Sequence, residues 1–150
     1  MRPEKPKKDR VKKKFQIASD LAIVQQTSQD ILTFLKPASL PEAAVFDIRL
    51  CLEEAIINAM KYGNGLRKEL PVELDVEYDD REVRIHVKDQ GPGFDPAKVV
   101  DCTEEQNLYR NSGRGVYLIQ KLMDEVRYNE AGNSLLMVKR LKGDTAPKTS

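Results

Sequence analysis

Apolar residues recur along this chain with two different periods, one helical and one alternating. A spacing of three and four residues from Leu21 to Leu35 predicts a first helix, and Pro37 and Pro41 mark its end. The same spacing from Val45 to Ala59 predicts a second helix over residues 41–62, which the Tyr-Gly-Asn-Gly run at 62–65 stops. The first half of the chain is therefore largely helical.

Strict alternation of apolar and polar residues follows, which is typical of half-buried strands. It predicts strands over residues 72–78 and 83–87, joined by a turn at residues 79–81. A short strand at 15–18 precedes the first helix, with Ser19 as its candidate cap. Residues 89–113 are loop-like; a helix over 114–123 and strands near 125–129 and 134–141 complete the pattern. The order predicts an α+β fold, one sheet with its helices on one face.

Charge divides the 150 residues unequally. Residues 1–14 hold eight basic and two acidic side chains, a local charge of +6, whereas the remaining 136 residues carry −5. We expect a disordered basic tail over 1–14, one domain over 15–142 and a disordered C-terminal tail over 143–150. The basic tail is either a solubilising extension or a contact with an acidic partner or nucleic acid.

Composition argues against several classes of protein. No run approaches the roughly 18 apolar residues that a membrane helix needs, and the charged start does not resemble a secretory signal. Two cysteines, Cys51 and Cys102, suggest reduced thiols in the cytoplasm, with Cys51 in the core. The single histidine, His86, argues against histidine metal clusters, and parity places it on the surface. The absence of Trp argues against direct nucleic-acid binding by the domain.

The first motif that carries chemistry is EEAIINA, at residues 53–59. Glu54 and Asn58 are four positions apart, so they stack on one face of the second helix. An amide oxygen suits a hard cation such as Mg²⁺, and a neighbouring carboxylate suits a general base. A solvated polar stripe would show the same spacing.

The second motif is DQGPGF, at residues 89–94. Strand parity places Asp89 on the core-facing side, where an unpaired carboxylate is costly and needs donors such as a purine amine. Gly91 and Gly93 would let the backbone turn sharply and approach a ligand. An ordinary strand end with a glycine turn is the alternative.

The third motif is SGRGVYLI, at residues 112–119, a glycine-rich turn that opens a helix. Backbone N–H groups at a helix N-terminus bind anions, and Arg114 adds positive charge. A glycine-rich cap without a ligand is equally consistent with the pattern.

The order of these three motifs resembles the GHKL, or histidine kinase-like, ATPase superfamily, and within it the bacterial anti-sigma factor serine/threonine kinases. Residues 53–64 are similar to the asparagine box, 89–94 to the first glycine box and 113–124 (GRGVYLIQKLMD) to the second. The resemblance implies a two-layer α/β sandwich of the Bergerat type, with a mixed, mostly antiparallel sheet and helices on one face.

The resemblance also implies roles for individual residues in binding ATP and Mg²⁺. Asn58 would hold Mg²⁺ against the triphosphate, and Glu54 would activate the target serine, with Glu53 ranked second because its side chain points about 100° away. Asp89 would accept from the adenine amine. The remaining nucleotide-binding candidates are Lys61, Tyr62, Gly91, Gly93, Phe94, Gly113, Arg114 and Gly115.

One departure from the family pattern bears on activity. Family kinases commonly have His where this chain has Tyr62, and the Lys61-Tyr62 pair is instead similar to sensor histidine kinases. Residues 95–112 would form the ATP lid. The Tyr is compatible with nucleotide binding but puts phosphotransfer in question.

The resemblance implies an ATP-dependent serine kinase that acts in partner switching. It would bind a sigma factor or similar regulator and phosphorylate a STAS-domain anti-anti-sigma protein, and family kinases usually form homodimers. Two alternatives remain open: a nucleotide-responsive protein-binding module without phosphotransfer, and a detached ATP-binding domain of a phosphorelay.

Overall fold

The computed structural model describes residues 10–91, 111–129 and 131–141, with backbone only for 111–114. A π-helical turn, Ala59–Gly63, continues the second helix. The helices and strands, in chain order, are β1 (Val11–Ile17), α1 (Val24–Leu35), α2 (Glu42–Asn58), β2 (Val72–Tyr78), β3 (Glu82–Lys88), α3 (Asn111–Leu122), β4 (Glu125–Tyr128) and β5 (Ser134–Arg140).

The strands form a five-stranded sheet in the order β1-β2-β3-β5-β4. All four pairings between the described strands are antiparallel, with β2–β3 and β4–β5 as hairpins. The sheet predicted as mixed and mostly antiparallel is antiparallel at every pairing among the described strands. The predicted α+β fold is confirmed.

One face of the sheet packs against the helices and forms the core. Buried side chains alternate along β2 and β3, and α2 contributes Ile48, Cys51, Leu52 and Ile56, which have no exposed surface. This confirms that Cys51 packs in the core. Because α2 contacts both α1 and α3, it is the middle helix of its layer.

Charged side chains cover the opposite face of the sheet in cross-strand rows. Asp75 forms ion pairs with Lys14 at 3.8 Å and with Lys88 at 3.2 Å, and the Glu77 carboxylate lies 3.9 Å from the Arg84 guanidinium. His86 lies opposite Asp75 in the same row, on the side predicted for it. Opposite charges on neighbouring strands stabilise a sheet by roughly 0.2–1 kcal/mol per pair, so this face needs no covering helix.

The first strand begins at Val11, four residues before its expected start at residue 15. The reason lies across the sheet, where Arg10 pairs with Glu77 at 2.6 Å and with Asp79 at 3.3 Å. Acidic partners on β2 make a basic segment a good edge strand. The tail residues 1–9 and the expected C-terminal tail lie outside the described residues.

Helix boundaries also differ from expectation. The Asp20 side chain, and not Ser19, accepts from the Ala22 N–H and caps the first turn. The Ser19 hydroxyl instead donates to the Leu70 carbonyl at 2.7 Å, and it is buried. α3 begins at Asn111, three residues before its predicted start.

Lys139 fixes β5 against the helical layer. Its ammonium lies 3.0 Å from the Asp47 carboxylate on α2 and donates to the Leu122 carbonyl at 2.7 Å, at the end of α3. A cation is favourable at a helix C-terminus, so one side chain sets the spacing of α2, α3 and the sheet. Among the described residues, no helix has the length and apolar character required to cross a membrane.

Candidate nucleotide site

A cavity of about 220 Å³ lies between α2, α3 and the ends of β3 and β5. Its walls are mostly apolar, with a few polar groups at the rim, as is common in small-molecule sites. It is lined by Ala55, Asn58, Ala59, Tyr62, Gly63, Val87, Asp89, Val116, Tyr128, Gly132, Asn133, Ser134 and Leu135.

The α2 side of the cavity is one stripe of the helix that continues into the π turn. Ala55, Asn58, Ala59 and Tyr62 recur at intervals of three and four, so they share a face. Ala55 and Ala59 are buried and small, which leaves the space that larger side chains would fill. Helical periodicity therefore creates both the cavity and its polar rim.

Gly115 of α3 brings the first and third sequence motifs together. A Cβ built on Gly115 would lie 2.7 Å from the Glu54 Oε1 atom and 2.9 Å from the Asn58 Nδ2 atom. The backbone of α3 therefore passes directly over the two polar side chains that α2 presents. Only glycine permits this approach without displacing one of them.

The second motif meets the end of α2 through two glycines. A Cβ on Gly63 would collide with the Asp89 carboxylate, and a Cβ on Gly91 would collide with the Gly63 carbonyl. Gly91 was expected to allow close approach to a ligand, whereas its closest neighbour here is the Gly63 backbone. These contacts place Asp89 at the cavity, on the side that strand parity predicted.

The Asp89 carboxylate is half-buried, and burial raises its pKa above the ordinary value. The Gly91 N–H donates to its Oδ1 atom at 2.8 Å and opposes that rise. The carboxylate therefore retains acceptor capacity toward the cavity, where a ligand that brings N–H donors would offset the cost of its burial.

Comparison with known proteins agrees with this architecture. The family model described as "Histidine kinase-like ATPase domain" matches residues 17–139, most of the chain. This chain belongs to the histidine kinase-like ATPase domain family. The superfamily inferred from the three motifs is thus confirmed.

Sequence relatives of this histidine kinase-like ATPase domain include proteins named serine-protein kinase RsbW. The one from Staphylococcus epidermidis is 32% identical, over 64% of this chain and 65% of its own length. The one from Listeria monocytogenes is 35% identical, over 64% of this chain and 66% of its own length. The chain thus spans slightly less than two thirds of the relatives it matches.

A solved structure supports the fold of the domain. A crystal structure of the RsbU and RsbW domains of a Mycobacterium tuberculosis protein matches with a TM-score of 0.59 at 14% identity, and the match covers 87% of this chain and 32% of that one. At this identity the likeness concerns the fold alone. It agrees with the α+β architecture of the histidine kinase-like ATPase domain.

Of the remaining predicted site residues, some line the cavity, some lie elsewhere in the structure and some fall outside the described residues. Tyr62 lines the cavity with 49% of its surface exposed, and the Lys61 ammonium lies 5.5 Å from the centre of the Tyr62 ring. Gly113 and Arg114 lie in the first turns of α3, where the Arg114 side chain is outside the described part. Gly93, Phe94 and most of the expected lid lie outside the described residues. Glu53 is partly exposed and does not line the cavity.

Sequence reasoning missed several residues of the site. Asn133 lines the cavity, and its backbone and side chain bond to both ends of the Asp89–Gly91 corner. Tyr128 lines the cavity from the edge strand β4, and burial raises the pKa of its phenol to about 12. Asn64 does not line the cavity but accepts from the Gln90 N–H, next to Asp89. Gly65 indicated a turn after Asn64, but nothing in the local sequence indicated that Asn64, Tyr128 and Asn133 lie close to the second motif or the cavity.

The donor set fits ATP and Mg²⁺ better than it fits a metal held by protein alone. Among residues 10–91, 111–129 and 131–141, no group of three or more His, Cys, Asp or Glu side chains could hold a metal ion. Mg²⁺ is commonly bound through one or two protein oxygens together with phosphates. Asn58 beside the glycine of α3 meets that pattern, and the apolar walls with one carboxylate suit a purine.

Proposed function

We propose that this chain binds ATP with Mg²⁺ in the cavity and transfers a phosphoryl group to a serine of a partner protein. The observation that carries the proposal is the packing of the Gly115 backbone over Glu54 and Asn58, together with a cavity that Asn58 and Asp89 both line. A base selector and an amide ligand thus line one space, and a carboxylate lies beside the amide at the start of α3. Those are the groups that phosphoryl transfer from a purine nucleotide requires.

Each residue then has a distinct role in binding. Asp89 accepts from the adenine amine, and the buried walls of Ala59 and Val87 receive the ring. Asn58 supplies the amide oxygen for Mg²⁺. The first turn of α3, which includes Gly113 and Arg114, offers backbone N–H groups to the phosphates.

Glu54 is proposed as the base. ATP with Mg²⁺ supplies the transferable phosphoryl group and neutralises its charge. Glu54 would accept the proton of the serine hydroxyl as the serine oxygen bonds to the γ-phosphorus and the bond to ADP breaks. Its Oε1 atom lies against the Gly115 backbone, which holds the carboxylate beside the start of α3.

The names of the relatives support a serine as acceptor, because several are serine-protein kinases. We extend this to partner switching in the cytoplasm: the chain would bind a sigma factor or similar regulator and phosphorylate a STAS-domain anti-anti-sigma protein. Phosphate adds a charge of about −2, which breaks an interface by repulsion and desolvation. A homodimer is part of the same proposal.

Calorimetric titration with ATP and Mg²⁺, with GTP as the control, tests the first half of the proposal. We expect saturable binding that favours ATP. Incubation with labelled ATP and candidate STAS proteins then tests transfer, and identification of the labelled residue decides its type. Label on histidine would favour the phosphorelay alternative, and no adenine-selective binding would contradict the proposal.

Tyr62 favours a second candidate function, a nucleotide-responsive binding module without transfer. This residue stands where family kinases commonly have His, and its half-exposed ring lies at the cavity rim beneath the Lys61 ammonium. A phenol lacks the two ring nitrogens through which an imidazole can pass a proton. ATP binding without any phosphoserine on a bound partner would support this candidate.

A further inference from the structure

Asn64 joins three separate segments of the chain through one buried side chain. It follows the π turn and is 2% exposed. Its amide nitrogen donates to the Ser19 hydroxyl at 3.0 Å, to the Leu70 carbonyl at 2.9 Å and to the Pro71 carbonyl at 3.1 Å. Its side-chain oxygen accepts from the Gln90 N–H at 2.7 Å. The residue thus ties the start of the helical layer and the start of β2 to the end of β3.

The partners of Asn64 permit only one orientation of its amide. Two backbone carbonyls on one side can only accept, and the Gln90 N–H on the other can only donate. An aspartate would set a carboxylate oxygen against those two carbonyls. An alanine would leave buried donors and acceptors unpaired, which is costly. Asparagine therefore suits this position, because its NH2 group donates to the two carbonyls and its oxygen accepts from the Gln90 N–H.

Gln90 links Asn64 to the cavity. It lies between Asp89, whose carboxylate packs against Gly63, and Gly91, whose backbone packs against the Gly63 carbonyl. The pair Gly63 and Asn64 thus holds the Asp89–Gly91 corner by contact and by a hydrogen bond. The Gln90 N–H and the Asp89 Cα lie in one rigid peptide plane, so a bond to that N–H restrains the backbone that carries the Asp89 side chain.

The opposite side of the same corner is held by the β4–β5 turn. The Asn133 carbonyl accepts from the Asp89 N–H at 3.0 Å, and its side chain donates to the Gly91 carbonyl at 3.2 Å. Asn133 lines the cavity, whereas Asn64 does not. Asn64 therefore acts on this corner without lining the cavity itself.

We propose that Asn64 is a positioning residue of the nucleotide site, which holds the Gln90 N–H and so directs the Asp89 carboxylate into the cavity. The inference rests on the proposed function, because it assigns Asn64 a part in selecting adenine. Its consequence is that base selectivity depends on a buried amide that no ligand touches.

Asn64→Ala tests the proposal, with Ser19→Ala as the matched control. Ser19 belongs to the same buried cluster but does not contact Gln90, so its loss should lower stability without moving Asp89. Calorimetry with ATP and GTP is done at a temperature where both variants are folded. We expect ATP affinity to fall about tenfold or more in Asn64→Ala, with the ATP-to-GTP ratio reduced, and both quantities to be retained in Ser19→Ala.

Hydrogen exchange without nucleotide provides a second readout. The Gln90 amide should exchange slowly in the wild-type chain and in Ser19→Ala, and much faster in Asn64→Ala. If the wild-type chain does not bind ATP, the proposed function fails while this exchange experiment still tests Asn64. The inference would be overturned if the Gln90 amide still exchanged slowly in Asn64→Ala and this variant preferred ATP over GTP as strongly as Ser19→Ala does.

A second pair of variants covers the case in which Asn64→Ala does not fold. Gln90→Pro removes the same N–H donor, and Gln90→Ala keeps it. The Gln90 side chain is exposed, so the alanine variant is a mild control. We expect weaker, less adenine-selective binding only in Gln90→Pro, and equal binding by both variants would contradict the proposal.

Discussion

Two opposing requirements act on the carboxylate of Asp89. The fold half-buries its carboxylate and raises the pKa, so the charged form is disfavoured in the free protein. A purine amine would need that charge as an acceptor. The residue therefore lowers the stability of the empty domain in favour of binding, a compromise that is common at functional sites.

Asp89→Asn should separate those requirements. Because a raised folded-state pKa means that stability is lost as pH rises through it, removal of the charge should increase the free energy of unfolding at neutral pH. ATP affinity should fall by about 10- to 100-fold, since the amide oxygen would accept from the Gly91 N–H and leave the NH2 donor to face the adenine amine. Urea denaturation and calorimetry measure the two effects. A variant with lower stability and unchanged affinity would contradict this account.

Glu54→Gln should spare nucleotide binding and remove transfer. The amide keeps the shape of the side chain beside Gly115 but cannot take up a proton, so the rate of serine phosphorylation should fall by about 10²- to 10⁴-fold. Glu53→Gln is the matched control, because Glu53 neighbours Glu54 but is not among the side chains that a Cβ on Gly115 would meet. An equal loss of transfer in both variants, or a comparable loss of ATP affinity, would show that Glu54 is not the base.

Individual site residues differed in how far the sequence could predict them. Glu54 and Asn58 share a helical face and Asp89 follows strand parity, so local periodicity made them candidates, and the family resemblance gave them their roles. The partners of Asn64 are 45 positions away at Ser19 and 26 away at Gln90. No periodic pattern spans such separations, so the sequence indicated Asn64 only as part of the helix stop and as the last residue of the asparagine box, without these contacts.

At the scale of elements, α2 and α3 meet through a glycine. Gly115 is the point at which the α3 backbone reaches the polar face of α2, and Lys139 fixes the far end of α3 against the sheet. The two contacts hold α3 at both ends. The short distance between α3 and α2 therefore depends on Gly115 as much as on the packing of the surrounding core.

Gly115→Ala should raise or preserve stability while it lowers transfer. Alanine favours an α-helix over glycine by roughly 0.5–1 kcal/mol, and the atoms that its Cβ would meet are the ends of the Glu54 and Asn58 side chains. Those ends would move, and a misplacement of about 1 Å can reduce a rate about 100-fold. Thermal unfolding and a phosphorylation assay measure the outcome, with exposed Gln120→Ala on α3 as the control. Unchanged transfer would show that the approach is not used.

Element boundaries were predicted less well than element types. Lys12, Lys13 and Lys14 suggested a solvated tail, but the register of β1 pairs Lys12 with Glu77 and Lys14 with Asp75. Cross-strand charge pairing of this kind is invisible until the partner strand is known. The π turn at Ala59–Gly63 was equally hidden, because a helical period does not distinguish it from the last turn of α2.

At the scale of the whole molecule, the sheet separates an apolar side from a charged one. His86 belongs to the charged side, where its ring lies 3.3 Å from the Ser134 hydroxyl and opposite Asp75. Burial and then Lys88 lower the pKa of the imidazole, while Asp75 opposes them. The folded domain therefore prefers the neutral ring.

Stability should consequently fall in mildly acidic solution through His86. A lowered folded-state pKa means that the contribution is complete above the ordinary value near 6.5 and is lost as pH falls through the folded-state pKa. Urea denaturation between pH 5 and 8 should show this decrease, and His86→Gln should flatten it. His86 is the only histidine of the chain, so an unaltered profile in the variant would exclude it as the cause.

The placement of α2 constrains how such a domain can change over evolutionary time. One continuous element carries Glu54, Asn58 and Tyr62, and its π turn delivers Gly63 to Asp89. A mutation that rotates or shifts α2 displaces the residues proposed for transfer and those proposed for base selection together. New substrates are therefore easier to acquire through outward-facing positions than through movement of α2, and lineages should diversify in partners before they diversify in nucleotide.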